Sequence, residues 1–432
     1  MKFIYSDSLD YIDPNYDFIH DRNGDGRGKY WDDQFAHEYM DRPPYDGILV
    51  SRGVVGDHRF KGKYSDSQAM RFRREGARKF LRYPESKFPG SLMFGDCGAF
   101  QYADLPEPPY SPEDMIEFYA DGQFTHGCSI DHIIFDFNPA LDERRLFDPR
   151  IPEDVRKRYE ITLDLAEKFI KLSPQLGRDF TPIGVVQGWS PMSMARAAQS
   201  LVGMGYDYLA IGGLVPLRVG DIHKILAAIR EMIPEKIRLH LLGFAKADQL
   251  SEFKKYKISS FDTSSPMIRA FKDGRRNYYL PDGNGSIRYF QAIRIPQALE
   301  NNTLKKKIKT GRFKQEELLS SESRALGALR QFAKEETGLD ETLQPLRDYS
   351  AFLFAKDENS EERNAQILDA LMKEYSITLM DRPWEHCHCK VCRDAGVDVI
   401  IFRSSNRNKR RGMHNLGVFY DQLERLRTNE AG

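Results

Sequence analysis

Residues 183–213, IGVVQGWSPMSMARAAQSLVGMGYDYLAIGG, decide how the chain folds. Ile183–Gln187 is a short β-branched run, Pro191–Met204 carries apolar residues at helical spacing after a Ser-Pro start, and Tyr208–Ile211 is a second buried-strand run ending in two glycines. Strand, helix and strand within about thirty residues make a parallel pair joined by a crossover helix. The same alternation extends both ways. Apolar runs fall at Asp46–Ser51, Ser91–Gly95, His132–Phe137, Leu239–Gly243 and Ile258–Phe261. Helical patterns cover Ser67–Tyr83, Pro112–Thr125, Pro152–Lys171, Val219–Met232 and Ala247–Lys255. Seven or eight such units predict an α/β chain built as a (β/α)8 TIM barrel, with a doubly wound open sheet as runner-up. No G-x-G-x-x-G follows the first run, which weakens the open-sheet alternative.

Polar residues gather where the predicted strands end. Asp96, Asp136, Gln187, Gly212-Gly213 and Asp262 each close an apolar run. In a barrel those ends meet at one mouth, where chemistry takes place. Any one of them is readily a turn former or helix cap; two or three carboxylates and an amide together predict a shared site. Paired carboxylates suit cleavage of a glycosidic bond, one attacking the anomeric carbon while the other moves a proton. Residue types alone leave aldolases and amidohydrolases open.

After Asp262 the alternation stops. A hairpin signal at Asn277–Asn284 precedes LKKKIKTGRFK, whose stretch Lys305–Lys314 holds six basic residues and no acid, and a helix-prone region runs on to about Ser376. The basic runs Lys305–Lys314 and, further on, Arg403–Arg411 read equally as solvated faces and as nucleic-acid contacts. The expected division is a catalytic barrel over 1–300, a helical insertion over 301–380 and a metal-binding subdomain over 381–432 that completes the barrel domain.

Cys387-His388-Cys389-Lys390-Val391-Cys392 is a C-x-C-x-x-C run, and His414 follows 22 residues later. Three thiolates and an imidazole make a closed tetrahedral zinc set, structural rather than catalytic because no position stays open for water. By spacing alone His386 and His388 compete with His414. Cys97 and Cys128 read as core or near-site residues. Basic and acidic residues balance at 64 each, so net charge predicts no partner. The acidic N-terminal segment lacks the pattern of a secretory signal and no apolar run reaches spanning length, so the expectation is a cytoplasmic protein with no membrane association.

The local motifs resemble those of tRNA-guanine transglycosylases. GDCGAFQY around Asp96 is similar to their D-S-G-G-F/Y-Q signature; IIFDFNP at Asp136, VVQG at Gln187, LAIGGL ending at Leu214, SSFD ending at Asp262, and C-x-C-x-x-C with His414-Asn415-Leu416 follow in family order. The resemblance implies a (β/α)8 barrel with structural zinc held by Cys387, Cys389, Cys392 and His414. It implies Asp262 as the nucleophile on C1′ and Asp96 as general acid/base. Asp136 and Gln187 then recognise the purine edge, Gly213 and Leu214 offer backbone groups, and Phe100 stacks on the base.

The departures also inform. Cys97 and Ala99 replace Ser and Gly, Thr263-Ser264-Ser265-Pro266-Met267 stands where P-T-R is expected, and the N-terminal portion resembles the DpdA-like branch. That branch places 7-deazaguanines into DNA. The resemblance therefore implies a DNA guanine transglycosylase exchanging guanine for 7-cyano-7-deazaguanine through a covalent aspartyl-deoxyribosyl intermediate, working with an ATPase partner and as a homodimer. The alternatives are the same chemistry on tRNA, and a non-catalytic nucleic-acid-binding subunit. Retention of both Asp96 and Asp262 argues against the last.

Overall fold

In the computed structural model, residues 1–142, 148–244, 247–283, 286–354, 356 and 359–428 are described. The chain divides into two compact units, one formed by Met1–Leu9 and Tyr45–Ser265, the other by Asp10–Pro44 and Pro266–Gly432.

The first unit is a closed barrel of eight parallel strands in sequential order. They are β1 (Lys2–Ser6), β2 (Gly47–Ser51), β3 (Leu92–Asp96), β4 (His126–Cys128), β5 (Thr181–Val186), β6 (Tyr208–Ile211), β7 (Arg238–Leu241) and β8 (Ser260–Thr263). β1 closes the barrel by pairing with both β2 and β8, setting Ile4 beside Asp262. On the other side of β2, Ser51 lies beside Asp96 of β3. Ile4, Leu49, Phe94, Cys128, Ile183, Val185, Tyr208 and Ala210 fill the interior. Side chains therefore pack the barrel, and chemistry is confined to its rim.

The decisive unit at 183–213 folds as its pattern predicts. The helix Pro191–Met204 starts with Pro191 at its first position and with Ser190 accepting from the Ser193 N–H, and it stops at Gly205 at a φ of +107°. Proline supplies a pre-set helical φ at the start, and a glycine tolerates the left-handed stop.

Two strands differ from expectation. The fourth is His126–Cys128, not the run His132–Phe137. The apolar run crosses the rim without pairing, and its backbone is satisfied by other groups. The His132 N–H donates to Thr162 Oγ1, the Ile133 carbonyl accepts from Arg158, and the Ile134 N–H donates to Gln187 Oε1. Hydrophobicity alone does not distinguish such a segment from a strand. The first strand, Lys2–Ser6, precedes every run recognised from sequence. It is only five residues long and is parted from β2 by the excursion of residues 10–44.

The second unit is mainly helical. Asn302–Lys309, Gln315–Ala333, Leu339–Phe354 and Glu361–Asp381 occupy the region expected as a helical insertion. A hairpin of β9 (Tyr278–Pro281) and β10 (Ile287–Phe290) appears where the turn signal predicts one, although Asn284 lies outside the described residues. The long helix Ser405–Thr428 corrects a second expectation. The basic run Arg403–Arg411 is not a surface for phosphates, because Arg407, Arg410 and Arg411 are buried. Arg407 Nε donates to Asp21 Oδ1 at 2.8 Å, and Arg407 also pairs with Asp398. Arg410 Nη2 donates to the Asp13 carbonyl at 2.7 Å, and Arg411 Nη1 to the Val399 carbonyl at 3.1 Å. Buried guanidinium groups need such partners, and Arg407 and Arg410 tie the N-terminal excursion to the C-terminal helix. Among the described residues no helix is long and apolar enough to cross a membrane.

Candidate active site and metal centre

β3 ends at Asp96 and β8 carries Asp262 one residue before its end, so both acids stand at the C-terminal rim. Their surroundings differ in kind. Three groups address Asp262. Ser6 Oγ donates to Oδ2 at 2.6 Å, the Gly243 N–H donates to Oδ1 at 2.9 Å, and His240 Nε2 lies 3.1 Å from Oδ1. Converging donors stabilise negative charge on a carboxylate.

Asp96 accepts from the Gly98 N–H at 3.1 Å, with the Cys97 thiol 3.9 Å from its Oδ1 and the Ser51 side chain beside it. Burial among protein atoms, then repulsion from Asp131 and from Asp262, push its carboxyl up to about 7. A carboxylic acid held near neutral pH is equipped to give and retrieve a proton. The backbone turns sharply just beyond it. Gly98 has a φ of +89°, and a Cβ there would sit 2.7 Å from Ser51 Oγ and 2.8 Å from the Gly53 nitrogen. Only glycine meets both demands.

Gln187 follows β5 and is buried. Its Nε2 donates to Asp131 Oδ2 at 2.7 Å while its Oε1 accepts from the Ile134 N–H at 3.3 Å. Gly212 makes room for it, since a Cβ there would lie 2.3 Å from Gln187 Nε2. The Cys97 thiol donates to the second oxygen of Asp131 at 3.2 Å, and the Tyr102 hydroxyl lies 2.9 Å from Cys97 Sγ. Asp131 is 3% exposed, and burial pushes its carboxyl upward.

This acid was not recognised in the sequence. It stands five positions before Asp136, just ahead of the run mistaken for a strand. Asp136, expected at a strand end, instead projects from the rim segment and is exposed. Phe100 is 57% exposed, and its ring lies 6.0 Å from that of Phe135, itself 48% exposed. Gly213 adopts a φ of +70° against the Ile134 carbonyl; the Leu214 side chain is buried, and its carbonyl accepts from the Leu217 N–H. Ser6 and His240 also went unrecognised, since a serine and a lone histidine in short strands carry no motif.

In the second unit, Cys387, Cys389, Cys392 and His414 converge with their ligand atoms within 4.8 Å of one another. His414 Nδ1 lies 3.5, 3.4 and 3.3 Å from the three sulfurs in that order. Its Nε2 meets the Tyr279 carbonyl at 2.7 Å, which assigns the ring hydrogen to Nε2 and turns the Nδ1 lone pair toward the thiols. Tyr278 stacks on the imidazole at 4.1 Å. The cluster could hold a metal ion. His414, not His386 or His388, is the imidazole that meets the thiols.

The barrel rim thus carries two carboxylates in unlike surroundings, and the second unit carries a Cys3His cluster. The chain is 36% identical over 425 residues, covering 98% of its length and 97% of the relative's, to the DNA-guanine transglycosylase of Salmonella montevideo. It belongs to the guanine transglycosylase family. Queuine tRNA-ribosyltransferases match over a shorter stretch. The enzyme of Histophilus somni is 29% identical over 183 residues, 41% of this chain and 43% of its own, and that of Haemophilus influenzae (strain PittEE) is 30% identical over 211 residues, 45% and 52% respectively. No protein-family model matches the chain.

Proposed function

We propose that the enzyme exchanges guanine in DNA for a 7-deazaguanine base, 7-cyano-7-deazaguanine, through a covalent aspartyl-deoxyribosyl intermediate. The observation that carries this reading is the contrast between Asp262, met by Ser6, His240 and the Gly243 N–H, and Asp96, which burial pushes up to about 7 despite the Gly98 N–H and the Ser51 side chain. An Asp262 oxygen bonds to C1′ as the C1′–N9 bond breaks, and the departing guanine takes a proton from Asp96. The incoming base then returns its N9 proton to Asp96 and displaces Asp262 from the sugar. Each half needs Asp96 in the state that the other half leaves behind.

In this reading Gln187, held by Asp131, and Asp136 at the rim contact the purine edge, with Gly213 and Leu214 supplying backbone groups. Phe100 stacks on the base. DNA is favoured over tRNA because the match to the DNA-guanine transglycosylase runs the length of the chain, whereas the tRNA-ribosyltransferase matches cover less than half of it. The chemistry agrees. Deoxyribose lacks the electron-withdrawing 2′-hydroxyl, so positive charge at C1′ develops more easily, while flipping a duplex base costs a few kcal/mol. The exposed lysines of Asn302–Lys309, or a separate ATPase that opens the duplex, would offset that cost.

Cys387, Cys389, Cys392 and His414 fit zinc, which prefers soft thiolates and an oriented imidazole. Zinc bound there would cross-link distant segments of the second unit and take no part in the exchange.

The test offers radiolabelled guanine to the enzyme with plasmid DNA or with bulk tRNA, followed by nucleoside mass spectrometry of DNA supplied with 7-cyano-7-deazaguanine. Label entering DNA and a deazaguanine deoxynucleoside are expected. Label entering tRNA alone would replace this reading with the tRNA one.

A further inference from the structure

His240 lies on β7 with its side chain wholly inside the barrel. Nε2 lies 3.1 Å from Asp262 Oδ1, and Nδ1 rests against Ser260 Oγ, which lies 2.5 Å from the Tyr208 hydroxyl. An ionised carboxylate only accepts, so Nε2 must carry hydrogen. In the neutral ring Nδ1 then accepts from Ser260, and Ser260 accepts from Tyr208. Each donor in the chain points toward Asp262. Tyr208, Ser260 and His240 are buried, where low polarity strengthens every link.

A buried histidine with both nitrogens engaged is commonly a piece of core. The asymmetry it creates at Asp262 argues for more. Oδ1 is gripped by His240 and by the Gly243 N–H, both fixed in the framework, whereas Oδ2 meets the rotatable Ser6 hydroxyl. One oxygen is anchored and the other can be released.

We propose that His240 is a positioning residue that anchors Asp262 through Oδ1, directs Oδ2 to C1′, and steadies the charge that returns to Asp262 when the enzyme–sugar ester breaks. The inference rests on the covalent reading above. In the first half an Oδ2 electron pair forms the bond to C1′, and the C1′–N9 pair leaves with guanine, which is protonated by Asp96. In the second half the incoming N9 gives its proton to Asp96 and its electron pair to C1′, and the C1′–Oδ2 pair returns to the carboxylate. His240 neither gains nor loses a proton; its N–H remains on Oδ1 throughout. The bond it makes is worth most when the carboxylate is a departing anion, so the second half depends on it most.

The experiment compares full-length His240→Leu and His240→Gln in steady-state exchange and in the fraction of chain found covalently joined to oligonucleotide after acid quench. Loss of a hydrogen bond to a charged group should lower kcat for His240→Leu by about 10–100-fold, with KM for DNA and base changed less than about twofold. The covalent fraction should rise above wild type, because breakdown slows more than formation. His240→Gln keeps an amide N–H in reach and should recover most of the rate. A folded His240→Leu enzyme with wild-type kcat, or a slow one whose covalent fraction falls and which Gln does not rescue, overturns the proposal. If the His240 variants do not fold, Ser260→Ala decides: a smaller rate loss with the same rise in adduct is expected, and unchanged rate and adduct overturn it. Asp262→Ala separates the two levels. Its continued turnover would sink the covalent reading itself, whereas a dead Asp262→Ala beside an unaffected His240→Leu removes only the positioning role.

Discussion

The Ser6 hydroxyl donates to Asp262 Oδ2 at 2.6 Å across 256 positions of sequence. The first strand therefore closes the barrel and also supplies a donor to the carboxylate of the eighth. Without Ser6, Asp262 keeps His240 and Gly243 on its other oxygen, so its orientation survives while Oδ2 loses the Ser6 hydroxyl.

Asp262→Ala should lower exchange by about 10³-fold or more, the loss expected when a covalent nucleophile is deleted. Ser6→Ala should stay within about threefold of wild type, because Oδ2 is released from Ser6 when it attacks C1′. Initial rates of labelled guanine incorporation measure both. Near-normal turnover by Asp262→Ala would remove that residue from the mechanism.

Asp96 makes a signed prediction about pH. Its carboxyl is raised from 3.8 to about 7, chiefly by burial and then by Asp131 and Asp262. The folded state thus keeps a proton that the unfolded chain releases. The stabilising contribution is complete below about 3.8 and is lost as pH rises through about 7. Asp96→Asn, which cannot ionise, should gain in Tm relative to wild type as pH goes from 5 to 8, while losing exchange at every pH. In wild type, the rate of guanine release from DNA should fall above about pH 7, because that half consumes the protonated acid. A release rate that climbs through that range would assign the proton to another group.

Much of this architecture was legible because six of the eight strands are apolar runs of four to six residues with polar residues at their ends. β4 was not, since His126-Gly127-Cys128 has neither length nor an apolar pattern, and the better-looking run beside it satisfies its backbone through side chains. That displacement hid Asp131 and put Asp136 at a strand end it does not occupy. The arginines from Arg403 to Arg411 show a different limit. A charge run looks solvated until its partners are known, and Asp21 and Glu322 come from remote parts of the chain. The acids at 96 and 262 were accessible because each follows an apolar strand run, and the Cys/His cluster because its C-x-C-x-x-C spacing is itself the motif.

Asp131 and Asp136 should separate when each is changed. Asp131 is buried and accepts from Gln187 and Cys97, so Asp131→Ala strands two donors and should destabilise the fold by about 1–3 kcal/mol. Asp136 is exposed, and Asp136→Ala should change stability by less than about 0.5 kcal/mol. If Asp136 reaches the base edge in the complex, its variant raises KM for the incoming base without moving Tm. Denaturant melts alongside base titrations distinguish the two, and an Asp136→Ala enzyme with unchanged KM would leave edge recognition to Gln187 and Asp131.

The metal centre gives the sharpest separation of stability from chemistry. The Cys387–Cys392 segment meets the helix Ser405–Thr428 at His414, whose far nitrogen is tied to the hairpin at Tyr279. A metal held there would join these three segments. Purified protein should contain stoichiometric zinc by mass spectrometry of the element. Binding energy at such a site is folding energy, so a strong chelator should lower Tm, and turnover should decline in step with loss of folded protein. Cys387→Ser should reduce soluble yield before any change in KM for DNA is measurable. Abolition of exchange by chelation with the melting curve unmoved would instead place the metal in the reaction.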